Sequence, residues 1–303
     1  MPSSGSPTAA MAPDYAIVRL PTGVCSIRAV AAGETFHPVI GPAAEARALY
    51  VEQMRLAERL AAHAGEFVIW DVGLGGAANA LAVLDAARPL PAVLRVISFD
   101  CTVEPLRFAL AHAAELGYLR GREALLHQLA TERHIELQEA ALSVYWELQV
   151  GDFPTLLHSP AANTWPKPHL ILYDPFSPAR NPEMWTLPLF QRLHALLDAS
   201  RPCAMATYSR STMLRVTWLL AGFFVGTGCA TGEKEETTLA ATHRELVERP
   251  LPAAWLARAR RSTCAEPLHS PQYQRRRLSS ASWEKLQSHP QFQPLQAGHP
   301  SVL

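Results

Sequence analysis

The segment 66–100 constrains the fold most. A short apolar run, Phe67-Val68-Ile69-Trp70, ends in Asp71-Val72-Gly73-Leu74-Gly75-Gly76, and an Ala-rich stretch, Ala77–Ala87, follows at helical composition. A second apolar run, Val93–Phe99, then ends at Asp100. A strand that breaks on glycines into a helix and returns as a second strand is a crossover unit, and such units build parallel sheets covered on both faces. The same rhythm continues. Helical stretches are expected near Glu104–Leu116 and Arg122–Arg133, and strands at Val144–Val150 (ending Gly151-Asp152), His169–Tyr173 (ending Asp174-Pro175) and Cys203–Tyr208. Helices are expected at Met184–Leu197, with Pro188 as an alternative start, and at Ser211–Ala221. Phe223–Thr227 and Glu236–Ala241 would close a seven-stranded, mostly parallel sheet as an antiparallel pair. Upstream, Tyr15–Val30 alternates around Pro21-Thr22-Gly23 as a hairpin, and Pro42–Ala62 reads as one long helix.

The expected organisation is a disordered leader over 1–14, a hairpin and helix extension over 15–64, an α/β domain over 65–250, and a basic, partly disordered tail over 251–303. Composition sets limits on function. Over 303 residues, 49 % are hydrophobic and 18 % charged, which suffices for a sizeable core. Lys+Arg and Asp+Glu are both 27, so no global field pulls the chain to nucleic acid or membrane. Residues 244–303 nevertheless carry nine Lys/Arg against four Asp/Glu. The clusters Arg258-Ala259-Arg260-Arg261 and Arg275-Arg276-Arg277, with Trp283, read either as a phosphate-binding surface or as a solvated tail. No apolar run reaches the roughly 18 residues of a membrane span. The N-terminus lacks the pattern of a secretory signal. Five scattered cysteines without a CxxC pair favour reduced thiols, a cytoplasmic setting and no metal site.

Three motifs carry candidate chemistry. In the first, Gly73 and Gly75 let a backbone approach a ligand at a helix N-terminus. That spacing alone also suits a dinucleotide. Asp71, two residues before the first glycine, suits a cationic ligand better than a pyrophosphate. Asp100 and Asp152 end the next two strands, where they can meet ribose hydroxyls and an adenine amino group. Together these carboxylates fit S-adenosyl-L-methionine, although any one of them alone reads as a cap or turn residue. In the second motif, Asp174-Pro175-Phe176-Ser177-Pro178-Ala179-Arg180-Asn181-Pro182-Glu183-Met184-Trp185 is a proline-stiffened loop at a strand end. A carboxylate there can hold an ammonium and orient its lone pair as a proton leaves. Phe176 and Trp185 can wall the acceptor site, or Trp185 can simply be core. In the third, Glu34 and His37, with Glu45 further on, can line a substrate entrance.

The set Gly33-Glu34-x-x-His37, Gly41-x-x-x-Glu45, Asp71-x-Gly73-x-Gly75-x-x-x-Asn79, Asp174-x-Phe176-Ser177-Pro178-x-x-Asn181-Pro182-x-Met184-Trp185-Thr186 and Gly232-x-Lys234-x-Glu236 resembles the MnmC/MnmD-type tRNA methyltransferases over about residues 30–242. The resemblance implies a Rossmann-like class I methyltransferase fold and S-adenosyl-L-methionine as cofactor. It implies methylation of the exocyclic amine of 5-aminomethyl-(2-thio)uridine at the tRNA wobble position. Asp71, Gly73, Gly75, Asn79, Asp100 and Asp152 would bind the cofactor, and Asp174 with Phe176 would sit beside the reactive methyl. Glu34, His37, Glu45, Trp185 and Lys234 would face the acceptor. The sequence departs from the family pattern at Ala77, where a glycine is usual, and at Lys234-Glu235-Glu236, where Lys-Arg-Glu is usual. No flavin oxidase domain is expected in the roughly 60 residues after the sheet. Three alternatives stay open: a methyltransferase acting on a small-molecule or protein amine, a nicotinamide-dependent oxidoreductase, and an RNA-binding module without turnover. The sequence leaves the oligomeric state open.

Overall fold

The computed structural model describes residues 14–230 and 236–293. Its strands are β1 (Tyr15–Arg19), β2 (Cys25–Ala29), β3 (Glu34–Thr35), β4 (Glu66–Val72), β5 (Val93–Asp100), β6 (His134–Glu139), β7 (Leu142–Val150), β8 (Leu170–Tyr173), β9 (Ala204–Thr207), β10 (Phe224–Thr227) and β11 (Thr238–Ala241). The first three form a small antiparallel sheet. The other eight form one sheet in the order β10-β11-β9-β8-β4-β5-β7-β6. Strands β9, β8, β4, β5 and β7 run parallel; β6 and β11 run against them at the two sides, and β10, paired antiparallel to β11, runs in their direction at the edge. The expected mostly parallel α/β sheet is therefore present, with one strand more than expected.

The extra strand is β6. Its sequence, His-Ile-Glu-Leu-Gln-Glu, buries only Ile135. An edge strand with one covered face and polar neighbours leaves little apolar signal.

The central strands are apolar on both faces because helices cover both. On one face Ile69, Leu94, Val96 and Trp146 pack with the helices Ala78–Ala87, Glu104–Ala111 and Glu123–Glu132. On the other, Trp70, Phe99, Ile171 and Tyr173 pack with Leu187–Leu196 and Thr212–Leu220. Leu187–Leu196 begins next to Pro188, and the Thr186 hydroxyl caps it by accepting the Leu189 N–H at 3.3 Å.

Two expectations meet a different structure. The single helix over 42–62 is broken. Pro42–Ala46 passes into a widened π-type turn, Arg47–Glu52, and a regular helix resumes at Leu56–Ala61 after Arg55 at φ +49°. Leu49, Tyr50 and Val51 are all buried, which is more successive positions than one stripe of a surface α-helix offers. The second difference is at the C-terminus. Residues 251–293 fold onto the β10 side of the sheet, where Trp255, Leu268, Leu278 and Leu286 join the core. Gln291 is buried and locks the segment: its side chain accepts the Val225 N–H at 2.7 Å and donates to the carbonyls of Val225 and Leu251. The low apolar density of this stretch hid a few well-spaced anchors.

Candidate active site

Register places the functional loops side by side. Val72 of β4 pairs with Tyr173 of β8 and with Phe99 of β5, and Asp100 pairs with Val150 of β7. The residues that follow Val72, Tyr173, Phe99 and Val150 therefore leave one sheet edge as neighbours, about 4.8 Å apart from strand to strand. This is the carboxyl-terminal edge of a parallel sheet, where open α/β folds bind ligands.

The glycine turn is held from three sides. Gly73 sits at φ +93°, and a Cβ there would lie 2.8 Å from the Asp174 carbonyl oxygen. Glycine is thus what lets the β4 and β8 loops touch. The Gly75 N–H donates to Asp100 Oδ2 at 2.9 Å, and Asp100 Oδ1 accepts the Thr102 N–H at 3.2 Å. Tyr118 donates its hydroxyl to the Gly76 carbonyl at 2.9 Å. Ala77 takes the left-handed conformation, φ +66°, at the N-cap of Ala78–Ala87. The position where the related pattern carries glycine is thus one that needs a positive φ.

Asp71 lies beneath this turn, 1 % exposed. Its Oδ2 accepts the Ser98 hydroxyl at 2.7 Å, and Ser98 in turn accepts the Trp146 indole N–H at 2.9 Å. Oδ1 is buried with no hydrogen-bond partner among the described residues. Burial pushes the Asp71 carboxyl up to about 7; the Ser98 bond opposes this, and the charges of Asp174 and Asp100 add to it. Asp100 is also raised by burial, against the pull of the Gly75 and Thr102 N–H groups.

Asp174, His37 and Asn79 form one network. Asn79 donates its amide to Asp174 Oδ2 at 2.9 Å and accepts from His37 Nε2 at 3.0 Å. His37 Nε2 also stands 3.3 Å from Asp174 Oδ2. Both oxygens are acceptors, so Nε2 carries the imidazole proton. Nδ1 is buried with no partner among the described residues. Burial works against the charged ring. The hydrogen bond and charge of Asp174, with Glu45 and Asn79, outweigh it, and the net shift of His37 is upward. Both donors meet Oδ2 of Asp174.

The Phe176 ring lies 5.6 Å from that of Phe36, and Phe36 in turn abuts Gly75. The two phenyl rings thus stand between the glycine turn and the proline-braced loop.

Other expected residues are held by contacts within the fold. Trp185 does not wall the crevice. It is buried against Tyr173, and its indole N–H donates to the Phe176 carbonyl at 2.7 Å, which fixes the loop from behind. Glu45 is buried, and its Oε1 accepts the N–H groups of Val39, Ile40 and Gly41 at 2.7, 3.0 and 3.3 Å; it braces the turn behind His37. Glu34 accepts from the Ser177 N–H at 3.0 Å and from its hydroxyl, tying the small sheet to the proline-braced loop. Asp152 is exposed at the end of β7 and caps Phe153–His158, its Oδ2 accepting from the Thr155 N–H at 3.1 Å and hydroxyl at 2.6 Å. Lys234 lies outside the described residues.

Sequence reading missed Ser98, Trp146, Tyr118 and Phe36 as supports. The first two are ordinary strand residues until the carboxylate between them is buried. Tyr118 reaches the glycine turn across 42 residues of chain. Phe36, one residue before His37, was within reach of the motif.

The arrangement fits a nucleoside cation. Asp100 stands beside a glycine turn, a buried carboxylate oxygen lies beneath that turn without a partner, and acidic groups surround it. This is a donor set that a pyrophosphate would find repulsive and that a sulfonium and a ribose suit.

Comparison with known proteins agrees. A family model described as S-adenosyl-L-methionine-dependent methyltransferase matches residues 121–243. The chain is 31 % identical over 230 residues to the "tRNA 5-methylaminomethyl-2-thiouridine biosynthesis bifunctional protein MnmC" of Methylibium petroleiphilum, covering 74 % of this chain and 34 % of that protein. It is 33 % identical over 233 residues to the protein of the same name from Aeromonas hydrophila subsp. hydrophila, covering 71 % and 33 %. The chain thus spans about a third of the length of these curated relatives. The crystal structure of MNMC2 from Aquifex aeolicus superposes with a TM-score of 0.63 at 21 % identity, covering 90 % of this chain and 82 % of that one. This last likeness is one of fold.

Proposed function

We propose that the chain is an S-adenosyl-L-methionine-dependent methyltransferase, as the family model over residues 121–243 and the likeness to the two MnmC proteins support, and that it methylates a primary amine, the exocyclic amine of 5-aminomethyl-(2-thio)uridine at the tRNA wobble position. The observation that carries this reading is the meeting of Asp174, His37 and Asn79 beside the glycine turn. The name of the related proteins supports the choice of acceptor.

Asp100 and the turn from Gly73 to Gly76 would hold the cofactor's nucleoside, and Asp71 would balance its positive charge from below. When bound, S-adenosyl-L-methionine supplies a methyl group made electrophilic by its sulfonium. An amine attacks only as the free base, yet in water it is mostly protonated. Asp174 receives the ammonium through its Oδ1 and aligns the nitrogen with the glycine turn. The proton that leaves nitrogen is taken up at the carboxylate, and the proton on His37 Nε2 steadies the negative charge on Oδ2 until then. Phe36 and Phe176 offer an apolar wall for a planar base and keep bulk water from the reacting nitrogen.

The test is methyl transfer to tRNA from cells lacking this modification, beside a panel of free amines, with nucleosides read by mass spectrometry. The expected result is one added methyl on the wobble aminomethyl-uridine. Transfer to free amines with none to tRNA would overturn the acceptor, and transfer to neither would overturn the activity.

A further inference from the structure

Residues 251–293 hold seven Lys/Arg against two Asp/Glu, in a chain whose charges balance only as a whole. Two anchors place this segment at the same sheet edge as Asp174. First, Leu268 bridges in parallel to Thr186, and its carbonyl accepts the Leu187 N–H at 2.7 Å. Thr186 follows Trp185, whose indole holds the Phe176 carbonyl, so the segment is pinned to the end of the proline-braced loop. Second, Arg258 stands 3.9 Å from Glu236, which the buried Arg215 also holds at 3.0 Å. Glu236 lies just ahead of β11, whose Thr238 pairs with Thr207 at the carboxyl end of β9.

Between these anchors the chain doubles back. The N–H groups of Ala265 and Glu266 donate to the Arg276 carbonyl at 2.9 and 3.1 Å, so Arg275, Arg276 and Arg277 run beside residues 264–266, close to the end of the helix Trp255–Arg261. Glu266 is engaged within the segment, accepting from Ser279 and Ser282. Arg260 lies over the Trp283 ring at 5.2 Å. Among the described residues, Arg260, Arg261, Arg275, Arg276 and Arg277 stand exposed without a carboxylate partner.

We infer that this ledge docks the phosphate backbone of the RNA acceptor and thereby presents the wobble nucleoside to Asp174. The inference rests on the tRNA reading above and adds where the RNA lies. A protein with no net charge has no long-range pull on a polyanion, so capture must come from a local excess of unpaired cations. A rigid ledge pinned to the catalytic loop also fixes register, because phosphate contacts orient a nucleic acid without reading its bases.

The test compares the full chain with R275A/R276A/R277A, all three exposed. Fluorescence anisotropy with labelled tRNA is read at several salt concentrations, alongside calorimetric cofactor binding as a check on folding. The triple variant is expected to bind tRNA at least about tenfold more weakly, with a salt slope shallower by about two to three. In turnover, the loss should fall on KM for tRNA, and cofactor affinity should stay at the full-chain value. Equal tRNA affinity and slope in the two proteins would overturn the ledge, as would failure of the full chain to bind tRNA, or equal competition by poly-glutamate. The two readings fail separately. Salt-sensitive tRNA binding lost in the variant, with no methyl transfer by the full chain, would keep the ledge and remove the amine chemistry. Transfer with an unchanged KM in the variant would do the reverse.

Discussion

At the scale of single residues, the most informative group is Asp71. Its carboxyl sits at about 7 in the folded protein against an ordinary value of 3.8, chiefly through burial. Between those values the folded chain holds a proton that the unfolded chain has lost, so this group makes stability fall as pH rises through the window. A cation bound above it favours the ionised form. Cofactor binding should therefore release a proton near pH 7, and affinity should rise from pH 6 to pH 8. Calorimetry in buffers of different ionisation enthalpy reads both effects, and Asp71→Asn should flatten the profile. A pH-independent affinity in the parent protein would show that Asp71 does not sense the ligand. Asp152 calls for a finer cut. Asp152→Ser keeps a cap for Phe153–His158 but shortens the side chain, so stability should hold while cofactor affinity falls roughly fivefold, the value of one hydrogen bond. Unchanged affinity would leave Asp152 as a cap alone.

At the scale of elements, the site is a contact between two loops and a small sheet laid over them. Gly73 is the hinge of that contact. Gly73→Ala would strain a positive φ and drive a methyl group into the Asp174 carbonyl. The expected cost is about 1–3 kcal/mol in the denaturant midpoint, with cofactor affinity and turnover falling together. Unaltered affinity would mean that the loops move independently. Much of this scale was legible in the sequence. Apolar runs ending in Asp71, Asp100 and Asp174 announced both the strands and their functional edge, because a doubly covered strand has to be apolar throughout. What stayed hidden depended on long-range packing. β6 shows one buried residue, and the break at Arg55 follows from three neighbouring side chains being drawn inward together. Trp185 could not be divided between wall and core without knowing that the Phe176 carbonyl would turn toward its indole.

At the scale of the whole molecule, the C-terminal segment is part of the fold. Leu286 is fully buried with Trp255, Leu268 and Leu278 on the β10 side. Leu286→Ala should cost about 2–5 kcal/mol in equilibrium unfolding; a loss within the error of the measurement would mean that the segment contributes no stability. Composition concealed this, because the anchors are few and lie among Arg, Ser and Gln. Among the described residues no helix is long and apolar enough to cross a membrane. The small sheet, the glycine turn and the proline-braced loop meet at one edge, and the C-terminal segment is tied to the same loop. Binding and chemistry should therefore separate cleanly at Asp174. The measurement is single-turnover methyl transfer to undermodified tRNA by Asp174→Ala, with cofactor affinity determined on the same preparation. A rate about 10²–10⁴-fold lower with cofactor affinity within a few-fold of the parent is the expected result; a near-parental rate would contradict it.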